Sequence, residues 1–161
     1  MAAAGLSSLN VGLGYGVETT KGTKPTSFTR LTRINSIGGI TIEPQTIDAS
    51  ALEDAVTRNI KGRADTGGTW TVTVNLTGDT ITEWKTLISA YKALSDGKRM
   101  WFEVEHPDLS DAFFVVAQPP ESIAMPETSQ NELWTFEVNL TIEEYKGMDT
   151  KVALPAISEG E

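Results

Sequence analysis

The chain has 161 residues, of which 39% are hydrophobic, with no cysteine, one histidine (His106) and a formal charge of −9. That length suits one domain closing its own core, and the missing cysteines exclude a disulfide framework, a thiolate metal site and a Cys nucleophile, just as one His excludes a multi-His site. The acidic balance argues against ordinary nucleic-acid binding, which requires a basic patch, and against docking on an anionic membrane.

The opening stretch, "MAAAGLSSLNVGLGYG", has neither a basic n-region nor a long apolar h-region. No secretory signal is therefore expected, and the chain is expected to be made and kept in a cytoplasm. Residues 1–10 read as an N-terminal arm. "VGLGYGVET" (11–19) reads as a glycine-softened strand, "KGTKPT" as a turn, and "SFTRLTRINSI" as one strand broken by Gly38-Gly39. "ITIEPQTIDAS" resumes with Ile40, Ile42 and Ile47, although Pro44 restricts it to an edge or bulge. Residues 45–68 are then charged and without a steady period, and are expected to form a long irregular arm.

"TWTVTVNLT" alternates without a fault, turning Trp70, Val72, Val74 and Leu76 one way and Thr71, Thr73 and Asn75 the other. The spacing of Ile81, Trp84, Leu87, Ile88, Tyr91 and Leu94 predicts one helix over about 80–95, with a Thr80/Glu83 capping box and Gly97 at its C-terminal cap. "RMWFEVEH" is a strand with Met100, Phe102 and Val104 on the core side, which leaves Trp101, Glu103 and Glu105 on the other. "DAFFVVAQPP" is a buried strand, "ESIAMPE" a short edge strand, and "ELWTFEVNLTIEEY" a strand with Trp134, Phe136, Val138, Leu140 and Ile142 inward. Residues 146–161 read as a C-terminal tail. Strands, one helix, then strands predict a mainly β protein. Two antiparallel sheets would pack as a sandwich or partly open barrel, flanked by the helix. No apolar run is long enough to span a membrane.

Motifs for chemistry fail their context tests. "GLGYG" lacks the helix and the Lys-Ser/Thr ending of a phosphate loop. His106 has Ser110 nearby but no nucleophile elbow. Glu53-Asp54 and Glu143-Glu144 are adjacent pairs that diverge rather than face one substrate. The sequons at Asn75 and Asn139 lie in mid-strand and read as polar sheet faces. No enzyme, cofactor or metal is expected.

Taken in order, "VGLGYGVET", its hairpin into "SFTRLTRINSIGGI", the passage "TIEPQTIDASALEDAVTRNIKGRADTGGTWTVTVNLT", one helix, "MWFEVEHPD", "FFVVAQPPESIAMPE" and "NELWTFEVNLTI" resemble the major tail (tail tube) proteins of long-tailed, siphovirus-type phages. The likeness spans residues 11–145. It implies a tail-tube fold, similar to the tube of type VI secretion, assembled in the host cytoplasm as hexameric rings stacked into a virion tail. The tube would form on a tape-measure protein, meet tail-tip and tail-terminator proteins at its ends, and pass double-stranded DNA during ejection without binding it. Within it, residues 45–68 would be an inter-subunit loop carrying Ile47, Leu52, Glu53, Asp54, Arg58, Lys61, Arg63 and Asp65. Thr71, Thr73, Asn75, Glu137, Asn139 and Thr141 would face the lumen, with Glu103 and Glu105 the alternative. The rival expectations are another head–tail component (decoration, connector or terminator) and a soluble ligand-binding β-domain that stacks a ligand on Trp70, Trp84, Trp101 or Trp134, of which Trp101 is the one expected to be exposed.

Overall fold

The computed structural model describes residues 4–155. It contains strands β1 (Gly12–Val17), β2 (Thr29–Leu31), β3 (Ile34–Ile37), β4 (Glu43–Asp48), β5 (Asn59–Asp65) and β6 (Thr69–Asn75), helix α1 (Gly78–Lys92), and strands β7 (Met100–Glu105), β8 (Asp111–Gln118) and β9 (Thr135–Thr150). Seven strands form one sheet in the order β2-β1-β7-β8-β9-β6-β3, and β4 and β5 form a separate pair. All pairings are antiparallel. The described residues are mainly β, with two antiparallel sheets and one helix, as expected.

The two facing layers, however, come from a single sheet. β2 and β3 are its opposite edges, six strand spacings apart; a flat sheet would separate them by roughly 29 Å. Only Thr32 and Arg33 connect them, and that link reaches at most about 11 Å. The sheet must therefore curl until its edges approach, giving a barrel with an open seam. The turn is held at Arg33, whose φ is +55°, and by Glu83 of α1, which accepts from the Thr32 amide (3.0 Å) and hydroxyl (2.7 Å). This clamp is why "SFTRLTRINSI" is two short strands rather than one. Inside the curl, Trp70 of β6 meets Phe102 of β7 edge-on, with ring centroids 5.9 Å apart, although two strands separate them in the sheet. Val72, Val74, Leu87, Ile88, Phe136, Val138 and Leu140 fill the remainder.

β9 is the bending element. Its first half pairs with β6, Val72 opposite Val138, and its second half with β8, Phe114 opposite Gly147. Two register shifts against β8 bend it, and Gly147 takes φ +79° there, where a side chain would strain. The tail expected over 146–161 accordingly begins later: the strand runs to Thr150, because β8 supplies a partner for its backbone. Residues 1–3 of the expected N-terminal arm and 156–161 of the tail lie outside the described residues.

Three further expectations are corrected. Residues 121–127 form no strand; Pro119, Pro120 and Pro126 deny that stretch regular donors. The helix starts two residues earlier than expected. Its capping box is Thr77 with Thr80, the Thr80 amide donating to Thr77 Oγ1 (3.1 Å) and the Thr77 amide to Thr80 Oγ1 (2.9 Å). Its C-cap is Ala93, and Gly97 occupies a left-handed turn beyond it. The tryptophans exchange places: Trp101 is 5% exposed and Trp134, just before β9, is 44% exposed.

Candidate functional site

Three surfaces on this frame could carry a function. The first is the outer face of β3, β6 and β9. The antiparallel register sets Thr73 opposite Glu137 and Thr71 opposite Asn139, while Thr141 faces Thr69 on one side and Gln118 on the other. Thr71 Oγ1 donates to Asn139 Oδ1 (2.8 Å), and Asn35 Nδ2 to Asn75 Oδ1 (2.9 Å). The structure thus brings all six residues expected at a lumen onto one face. That face is hydroxyl- and amide-rich, carries Glu137 as its charge, and has no Lys or Arg within Ile34–Ile37, Thr69–Asn75 or residues 135–141, the nearest cation on β9 being Lys146 further along the strand.

The alternative lumen residues fall elsewhere. Glu103 is fully buried, and Glu105 is mostly covered and lies 3.6 Å from Arg30. Neither can line a channel. Both belong to a second core on the outer side of β1, β7 and β8, made by Phe28, Trp101, Ala112, Phe114, Val116 and Leu154. Here the glycines of "GLGYG" find their use. Gly12, Gly14 and Gly16 leave one face of β1 bare: a Cβ on Gly14 would collide with Leu154, and one on Gly16 would come within 2.8 Å of the Ser27 carbonyl. The C-terminal segment lies on that bare face, tied down by Arg30 Nε donating to the Pro155 carbonyl (2.6 Å) and by the Val152 amide donating to Glu103 Oε2 (2.7 Å).

The second core holds two carboxylates in opposite electrostatic states. Burial would raise the Glu18 carboxyl, but hydrogen bonds from Trp101 and from the Gly22 and Arg99 amides, with the Arg99 charge, hold it below the usual range. Its oxygens accept from the Arg99 amide and Trp101 Nε1, both at 2.8 Å. Among the described residues Glu103 has one donor, and its Oε1 has no partner. Burial pushes it up to about 7, with the Glu105 charge adding to that, while the Val152 amide, Lys24 and Lys151 pull the other way. The sequence carried two signals for this core. Glycine recurs at every second position of β1, and β8 is apolar on both faces, as in strands covered on both sides.

The third surface is the segment 45–68. It is not irregular: β4 and β5 make a hairpin with Ile47 opposite Ile60 and Glu43 opposite Asp65. Every β4 residue is exposed, as are Lys61, Arg63 and Asp65 on β5. At the tip Asp54 accepts from the Ala51 amide (2.8 Å) and pairs with Arg58 (3.0 Å), while Leu52 is fully exposed and Val56 is 76% exposed. The polar composition hid the ribbon, because both faces meet solvent and no alternation is imposed.

His106 is a turn residue, its Nδ1 accepting from the Asp108 amide (3.0 Å) and its Nε2 donating to the Ser7 carbonyl (2.8 Å). Among the described residues, no group of three or more Asp, Glu or His side chains could hold a metal, and no helix is long and apolar enough to cross a membrane.

No protein-family model matches the chain, and no curated protein matches it in sequence. Solved structures do. The chain is similar to a chain in the C6-symmetric tail of an empty GTA particle, with TM-score 0.56 and 14% identity over 91% of this chain and 99% of that one. It is similar to one in the sheath/tube terminator of the PVC extracellular contractile injection system, with TM-score 0.57 and 14% identity over 92% and 100%. A third is in the tube-terminating cap of the anti-feeding prophage, with TM-score 0.57 and 13% identity over 94% and 96%. At these identities the likeness is one of fold, and it spans nearly the whole of each chain: the protein has the fold of components of phage-like tails and injection particles.

Proposed function

We propose that the chain is a structural component of a phage-like tail, located in the virion tail, that acts by forming a ring around the tail channel. Two of the three neighbours described come from terminator or cap structures, so a ring that closes the end of a tube is preferred to the stacking tube subunit expected from sequence. The tube reading keeps one support, the likeness to a chain in a helically refined tail. The observation that carries the ring is the curled sheet with two unpaired edges, β2 and β3. Such edges are a liability in a free subunit, and a closed ring covers them.

The polar face of β3, β6 and β9 would then line the channel. Six copies at −9 carry 6 × −9 = −54 per ring, and a wall without cations lets double-stranded DNA slide without being held. The hairpin is the inter-subunit arm. Partners are further copies of the chain and the neighbouring tail proteins, with the tape-measure and tail-tip proteins relevant to the tube reading. No side chain is asked to do chemistry. Negative-stain electron microscopy of the purified protein tests this: discrete six-fold rings support the terminator, continuous tubes the tube subunit, and a monomer at all concentrations and in the presence of tail tubes refutes both.

A further inference from the structure

The seam of the curled sheet opens at one end into a groove of about 610 Å³ between β3 and the ends of β7 and β8. Ile34 and Ile37 form one wall and Val104, Phe113 and Val115 the other, over a floor of Trp70. Phe113 is 38% exposed there, although its neighbours Ala112 and Phe114 are fully covered on the opposite face of β8. An aromatic left half-wet in a preformed apolar groove is the usual anchor point of a contact.

The same chain offers an apolar segment that no other described residue covers. Leu52 and Val56 cap the β4–β5 hairpin, and Ile47 and Ile60, opposite each other on its stem, are 54% and 55% exposed. The tip does not occupy its own groove. It is carried away from the groove rim at Ile40 by a stem of six residues, about 20 Å of extended ribbon. A second copy has no such constraint.

Charge agrees with this match. Asp54 is already paired with Arg58. Glu53 at the tip and Arg33, immediately before the groove wall at Ile34, enter no ion pair among the described residues. A tip from another copy would bring its anion to that cation while its two aliphatic side chains enter the groove.

We propose that the groove is the receptor for the hairpin tip of an adjacent copy, Leu52 and Val56 packing against Phe113, Ile37 and Trp70. This deepens the ring reading and rests on it. The contact is head-to-tail, each copy using its tip on one neighbour and its groove on the other, and such contacts generate rings when the rotation closes.

The chain has no cysteine, so a Leu52→Cys/Phe113→Cys double variant reports the contact without background. Mild oxidation of the full chain at assembly concentration, followed by non-reducing electrophoresis, is expected to give a ladder of linked copies up to a closed ring. A control pairing Leu52→Cys with Lys85→Cys on the exposed side of α1 is expected to stay mostly unlinked. In parallel, Leu52→Ala/Val56→Ala, which touches no buried residue, is expected to keep the thermal midpoint and lose at least tenfold in assembled fraction by microscopy. Normal rings or tubes without a ladder, or normal assembly by the alanine variant, would overturn the groove contact and leave the ring reading standing. Absence of both assembly and ladder would overturn the two together, whereas a disulfide formed within single copies would overturn the groove contact alone.

Discussion

Glu103 makes the protein's stability depend on pH in a window where few carboxylates titrate. It is fully buried with one unpaired oxygen, and its carboxyl moves from 4.5 to about 7 on folding. Between those values the folded chain keeps a proton that the unfolded chain has released. Stability therefore falls as pH rises through the window and levels off above about 7. A shift of this size corresponds to about 3 kcal/mol in full, and about 2.5 kcal/mol of it falls between pH 5 and pH 8. Glu103→Gln removes the titration while keeping an oxygen for the Val152 amide. Urea unfolding followed by tryptophan fluorescence at half-unit pH steps should show wild type and variant close at pH 5. They should then diverge, with the variant more stable at pH 8 by about 2.5 kcal/mol, or roughly 5–10 °C in the thermal midpoint for a domain of this size. The lowered groups Glu18, Glu144 and Asp149 lose their contribution only as pH falls through the acid range, so they do not mask the effect. A gap that stays constant with pH, or widens on acidification, would refute the reasoning.

Gly14→Ala should displace Leu154 from β1 and destabilise by about 1–3 kcal/mol. Combined with Leu154→Ala it should cost less than the sum of the two single changes, and an additive double-mutant cycle would show that the contact is not shared. Thr77→Ala should remove the N-cap and cost about 1 kcal/mol in thermal unfolding without changing the fold seen by circular dichroism. Glu137→Lys should leave subunit stability within about 0.5 kcal/mol, since the site is exposed. Particles carrying it should assemble yet release DNA poorly. Normal infectivity would move the channel wall elsewhere.

Where one face of an element meets the core and the other meets water, the sequence declared it. Thr69–Asn75, the first half of β9 and the Trp84-Leu87-Ile88 stripe were legible for that reason, and the six polar lumen candidates followed from the same alternation. The strand period failed where both faces are alike. β4 and β5 are exposed on both, so their pairing is written only in backbone hydrogen bonds. β7 is buried on both, so Trp101 and Glu103 were assigned to a surface that the C-terminal segment covers. The Thr32-Arg33 crossing was illegible for another reason: it depends on Glu83, fifty-one residues away, and no local pattern records a distant clamp.

The last strand also governs when the molecule can exist. β9 pairs with β6, some sixty-six residues earlier, and with β8, and no other strand joins those two. On the ribosome, everything up to Asn131 can emerge while β6 and β8 still show open edges and the curl cannot close. Non-local closure of this kind is slow and leaves edges exposed to other chains. The curl can thus close only once residues 135–150 have emerged, so a copy cut short before β9 cannot present the closed fold.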